Sequence, residues 1–113
     1  MAECYVPDWA VPANVRALQT TRNGGVSQAP WASFNLGDHV GDEPAAVAAN
    51  RAALSARLPA EPRWLTQVHG TVAVDAGQRP EITEADAAFA RHPGIVCVVM
   101  TADCLPVLLC DRQ

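Results

Sequence analysis

Two apolar runs set close together, Ile95–Met100 and Leu105–Cys110, constrain the fold more than any other feature of the sequence. Neither alternates with polar residues, and both are short, so each is expected to be a strand covered on both faces rather than an amphipathic helix. A polar break, Thr101-Ala102-Asp103-Cys104, separates them. Covering such strands on both sides requires a layered fold. Only Asp111-Arg112-Gln113 follows the second run. The sequence is therefore expected to be the N-terminal part of a longer domain, or to be completed by a partner chain.

Upstream, Val15–Thr21 alternates as a half-buried strand does, and Asn23-Gly24-Gly25 breaks it, since these residues accept positive φ. A polar loop, 27–41, carries Ser33-Phe34-Asn35-Leu36-Gly37. Asp42-Glu43-Pro44 has the chemistry of a helix start: a capping carboxylate, acidic charge near the N-terminus, and proline where no N–H is needed. The helix is expected to reach about Leu58, where Pro59 stops it, with Val47, Leu54 and Leu58 as its apolar stripe. Arg51 falls inside that stripe, a conflict because a charge on a buried face requires a partner. Trp64–Val68 and Thr71–Val74 are expected strands on either side of His69-Gly70, where the glycine is read as a turn or bulge. Glu84–Ala90 is expected to be a short helix or irregular. The order β, loop, α, β, β, β points to one α+β or α/β layered domain over residues 1–113.

The net charge of −4 excludes nucleic acid as the expected partner, because phosphate binding needs clustered cations. No apolar run approaches the roughly 20 residues of a membrane helix. The first nine residues hold two acidic side chains and no basic one, unlike a secretory signal, so the expected location is the cytoplasm. There the four cysteines are expected to be reduced. None lies in a CxxC pair, which argues against a structural zinc knuckle.

Four residues stand out as carriers of chemistry. Cys104 sits in the polar break, where a thiol can meet solvent or a metal, although a free cysteine is often simply buried. His69 ends a strand beside a glycine that permits close approach; a half-exposed strand-end histidine is the plainer alternative. Together they offer an N and an S ligand, a pair suited to zinc, yet a catalytic zinc takes three protein ligands. Of the other candidates, His39 lies in a loop and is conceivable, Cys97 and Cys110 are expected in the core, and His92 is expected at the surface. Arg51 and Asn35 are candidates for an anion or a polar heterocycle, against an ion pair for Arg51 and turn chemistry for Asn35. Asp103 either orients a ligand or caps a turn. Gly24-Gly25 lacks the pattern of a phosphate loop.

A set of segments, in order, resembles the YfiH family, also known as laccase-like multicopper polyphenol oxidases. They are Thr21-Arg22-Asn23-Gly24-Gly25-Val26-Ser27, Ser33-Phe34-Asn35-Leu36-Gly37, His39-Val40-Gly41-Asp42, Asn50-Arg51, Gln67-Val68-His69-Gly70, Ala85-Asp86-Ala87 and Thr101-Ala102-Asp103-Cys104-Leu105-Pro106-Val107. The resemblance implies an α+β fold of layered mixed β-sheets with flanking helices. It implies a zinc-dependent purine nucleoside phosphorylase acting on adenosine, inosine and methylthioadenosine, with adenosine deaminase activity; some members are linked to peptidoglycan editing. It further implies zinc held by two histidines and one cysteine. By motif, His69 is the first histidine and Cys104 the cysteine, while the second histidine belongs to a His-x-Gly-Trp-Arg motif that this sequence does not contain. Asn35 and Arg51 match positions that resemble nucleoside or phosphate contacts. Catalytic roles therefore fall on His69 and Cys104, and substrate-binding roles on Asn35 and Arg51. The expected small-molecule partners are a purine nucleoside and phosphate.

Three rival expectations stand beside this one. Cys104 as nucleophile and His69 as base would make a thiol-dependent hydrolase, acting for example on muropeptide precursors. Copper is the weaker metal, because blue-copper and multicopper sites need several histidines and the chain has three. An inactive truncated fragment is the third.

Overall fold

The structure is a computed structural model, and it describes residues 3–78 and 84–111. The chain divides into two compact units, one built on residues up to Leu54 with the segment from Val107, the other on Ser55–Pro106. The elements are β1 (Cys4–Tyr5), β2 (Gln19–Thr20), α1 (Pro44–Ser55), β3 (Ala73–Asp75) and β4 (Ala87–Phe89). One helix with two separate two-stranded sheets makes an α+β fold among the described residues.

In the first unit β1 pairs antiparallel with β2, Cys4 opposite Thr20 and Tyr5 opposite Gln19. The alternating stretch from Val15 is therefore regular strand only at its end, because the partner is two residues long. Helix α1 starts as its sequence dictates. Pro44 is the first helical residue, the Glu43 carbonyl accepts from Ala46 and Val47, and Asp42 Oδ1 accepts from the Glu43 N–H at 2.7 Å. It ends at Ser55, short of the expected Leu58. Pro59 disfavours helical geometry at the residue before it, and Leu58 instead closes a turn onto the Ser55 carbonyl. Val47 and Leu54 are buried with Phe34, as the apolar stripe requires.

The position between them on the buried face belongs to Asn50, which is 1% exposed. Its amide donates to Ser27 Oγ (2.9 Å), the Ser33 carbonyl (3.3 Å) and the Asn35 carbonyl (2.8 Å), and its Oδ1 accepts from the Val26 N–H (2.9 Å). A polar side chain is tolerated there because each of its groups has a partner. The conflict at Arg51 is resolved similarly: Nε donates to the Leu36 carbonyl at 2.8 Å, and the side chain keeps 18% exposure. Both residues thus staple the 22–37 loop to the helix. Gly24 takes the positive φ (97°) that its sequence context predicts, and both Gly24 and Gly25 donate N–H to Ser33 Oγ at 3.1 Å.

In the second unit β3 pairs in parallel with β4, Ala73 opposite Ala87 through Asp75 opposite Phe89. The segment around Ala87, expected to be helical or irregular, is strand because Val72–Asp75 offers it an edge. Ala76, Ala85 and Leu65 are buried here. The two apolar runs differ from expectation. In Ile95–Met100 only Cys97 forms a bridge, to Arg63, and Leu105–Cys110 has no strand pairing among the described residues. A strand is made by its neighbour's hydrogen bonds. Without one, Leu105 and Leu109 stand 85% and 90% exposed. Cys110, expected in the core, is exposed for the same reason, and Cys97, also expected in the core, is exposed although it bridges Arg63.

Candidate active site

His69 lies in a loop between two parallel pairings of the same two segments. Thr66 bridges Glu84 before it, and Ala73 pairs with Ala87 after it. Six residues lie between Thr66 and Ala73 and two between Glu84 and Ala87, so four extra residues are looped out on the His69 side. Asp86 stands across the mouth of that loop. Its backbone N–H donates to the Val72 carbonyl at 3.2 Å, and the Ala85 N–H donates to the Thr66 carbonyl at 3.0 Å.

The Asp86 carboxylate accepts three consecutive backbone N–H groups: Val68 (3.2 Å) and His69 (2.8 Å) on Oδ1, and Gly70 (2.6 Å) on Oδ2. Convergent amides of this kind form a concave anion nest. The Gly70 bond first, then those from His69 and Val68 and the nearby His69 charge, outweigh desolvation and hold the Asp86 carboxyl below the usual aspartate range. The left-handed residue is His69 itself (φ 58°), not the glycine after it. A non-glycine residue there carries a conformational cost of about 1–2 kcal/mol.

Cys104 sits in a bend within the polar break and is exposed, as its sequence position predicts. His69 is exposed too, and among the described residues no hydrogen bond joins the two. His92 is exposed as expected; His39 is exposed, with Nδ1 3.7 Å from Asp38. Partial desolvation, and then the Asp75 charge, push the Cys97 thiol up, which disfavours the thiolate a metal needs. His69 and Cys104 are the donor types zinc prefers. Among the described residues, however, no group of three or more His, Cys, Asp and Glu could hold a metal ion. The described residues therefore supply at most two of the three ligands of a catalytic zinc.

In the first unit Asn35 lies in the loop onto which Arg51 of α1 is hydrogen-bonded. Asn35 Oδ1 accepts the Gly37 N–H at 3.1 Å, and its amide donates to the Gly37 carbonyl (3.1 Å) and Asp42 Oδ2 (3.0 Å). This is the turn chemistry of an asparagine two residues before a glycine. Arg51 Nη2 lies 3.6 Å from Asp38, whose side chain is 67% exposed. Asp42 also accepts Ser27 Oγ at 2.5 Å. That bond first, then those from Asn35 and Glu43, hold its carboxyl below 3.8 despite desolvation. A carboxyl depressed in the folded state contributes stability above its unfolded value, and the contribution is lost as pH falls through the lower folded value. Thermal melts from pH 6 to 2.5 are expected to show a steeper loss of stability below about pH 4 in the native protein than in Asp42→Asn. Parallel curves would remove Asp42 from the acid response.

Two residues that hold these loops in place were not singled out from sequence. Asp86 gave no local signal of its partners, because a nest is made by the conformation of a loop 16–18 residues away. Asn50 had a readable signal, a polar residue at i+3 from Val47 and i−4 from Leu54, beside the more conspicuous Arg51.

The chain belongs to the family described as multi-copper polyphenol oxidoreductase laccase, whose model matches residues 16–113, the YfiH or DUF152 family. It is 56% identical over 107 residues to a Pseudomonas aeruginosa purine nucleoside phosphorylase, covering 95% of this chain and 44% of that protein. It is 49% identical over 115 residues to the Escherichia coli purine nucleoside phosphorylase YfiH, covering 99% and 47% respectively. A solved Neisseria meningitidis structure of the DUF152 family superposes with a TM-score of 0.82 at 47% identity, over 89% of this chain and 42% of that one. The chain thus spans somewhat less than half the length of these relatives. Among the described residues, no helix is long and apolar enough to cross a membrane.

Proposed function

We propose that this chain supplies part of the active site of a cytoplasmic purine nucleoside phosphorylase. Its substrates are adenosine, inosine or methylthioadenosine with inorganic phosphate, and adenosine deamination is a second reaction. The observation that carries the reading is the exposed His69, held in a fixed left-handed loop, in a chain 45–56% identical to proteins named purine nucleoside phosphorylase. In phosphorolysis a phosphate oxygen forms a bond to the anomeric carbon of the ribose. The N-glycosidic bond breaks, and the purine leaves with that electron pair and takes up a proton. In deamination water adds at C6 of adenine and ammonia departs.

His69 and Cys104 would hold zinc, with a third ligand from outside the described residues; the metal would supply Lewis-acid chemistry. Asn35 and Arg51 would contact nucleoside and phosphate. The Arg51–Asp38 pair is long and its carboxylate is exposed, so it contributes little, about 0–1 kcal/mol. Phosphate can replace Asp38 as the anion, with charge-assisted hydrogen bonds in place of a screened ion pair. Arg51→Ala is expected to raise the KM for phosphate about tenfold, roughly 1.4 kcal/mol, with the nucleoside KM little changed. Initial rates at varied phosphate check this, and an unchanged phosphate dependence removes Arg51 from the site. The hydrolase alternative needs a base within reach of Cys104, and the structure shows no His69–Cys104 hydrogen bond to favour it.

A further inference from the structure

We infer that Asp86 is the positioning residue of the site: its carboxylate fixes the backbone of the His69 loop and thereby the direction in which the imidazole is presented. This rests on His69 being a site residue, as proposed above. Four looped-out residues between two parallel pairings would have several ways to close. The chain adopts one in which Val68, His69 and Gly70 turn their N–H groups inward onto one carboxylate, at 3.2, 2.8 and 2.6 Å. His69 takes the left-handed conformation this convergence requires, although a glycine stands next to it. The Gly70 position has room for a side chain, since a Cβ there would meet Asp86 Oδ2 at 3.6 Å and Val68 Cγ2 at 3.7 Å. The loop is therefore shaped by the carboxylate, not by a steric need for glycine. Asp86 is itself fixed, because its own N–H and that of Ala85 are tied to the segments on either side of the loop. The loop lies at the surface, so water can replace these bonds when the carboxylate is removed. The loss falls on geometry more than on folding.

The test uses the full natural chain as wild type, Asp86→Ala, Asp86→Asn and His69→Ala. In Asp86→Ala the amide resonances of residues 68–70 are expected to shift and their hydrogen-exchange protection to fall tenfold or more. Zinc affinity, read by chelator competition with the metal alone, is expected to fall ten- to a hundredfold. The kcat for phosphorolysis is expected to fall while the nucleoside KM stays within about twofold, a split that general destabilisation would not give. Asp86→Asn keeps one oxygen acceptor in the nest and is expected to fall between wild type and Asp86→Ala; it carries the same readouts if Asp86→Ala does not fold. Unchanged amides at residues 68–70 in the folded variant overturn the inference. Shifted amides with unchanged zinc affinity and turnover uphold the role of Asp86 in shaping the loop, and remove His69 from the site. His69→Ala shows that second failure independently.

Discussion

Gly25→Ala is expected to destabilise the first unit by about 3 kcal/mol or more, at the upper end of what overpacking costs. A Cβ at Gly25 would stand 2.3 Å from the Ser33 carbonyl oxygen, 2.6 Å from Phe34 Cα and 2.6 Å from Asn50 Oδ1. Two of these atoms are backbone and the third belongs to a side chain held by four hydrogen bonds, so none can move away cheaply. The displacement would loosen the links from Asn50 to Val26, Ser27, Ser33 and Asn35 together. Asn50→Leu is expected to reach a similar loss by another route. It keeps the branched shape with bulkier methyl groups and leaves the Val26 N–H and the Asn35 carbonyl without their partner, at about 1–3 kcal/mol for each group that stays buried, while the Ser33 carbonyl keeps the Ser27 N–H. Chemical denaturation of both variants checks this, and a Gly25→Ala cost under about 1 kcal/mol would show that the 22–34 loop is not close-packed on Asn50.

His69→Ala and Cys104→Ala are each expected to lower kcat/KM for adenosine phosphorolysis by about a thousandfold, or roughly 4 kcal/mol of transition-state stabilisation. Both side chains are exposed, so neither variant leaves a cavity, and any fall in melting temperature should be no more than the loss of bound zinc accounts for. Large loss of rate with little loss of stability marks a residue used for chemistry. The pair together should cost little more than either alone, because a metal site missing one ligand is already defeated. Steady-state kinetics on the three proteins read this directly. Additive losses would mean that His69 and Cys104 act separately.

What could be read in the sequence divides along physical lines. The helix start at Asp42-Glu43-Pro44, the positive φ of Gly24 and the turn at Asn35-Gly37 were legible, because each depends on residues close in the chain. Arg51 was legible as a conflict, though not its resolution on the Leu36 carbonyl, 15 residues away. The strands were least legible. Strand character in Ile95–Met100 and Leu105–Cys110 is a matter of composition, whereas strand structure needs a partner, and the described residues pair only Cys97 with Arg63. Ala87–Phe89 shows the converse: its alanines have weak β-propensity, and the available edge at Ala73–Asp75 decides. Cys104 and His69 were found as chemical types in favourable positions. That Asp86 holds the His69 loop by three amides was not readable, since a carboxylate and a loop give no sequence sign of meeting.

The central claim, that His69 and Cys104 belong to one zinc-dependent phosphorylase site, is tested most directly by native mass spectrometry with metal analysis on the same sample. The proteins needed are the full natural chain and its His69→Ala and Cys104→Ala variants. About one zinc per chain in the wild type, lost from both variants, is the expected result. A wild-type chain that converts adenosine and phosphate without zinc, or zinc retained in full by both variants, would contradict it.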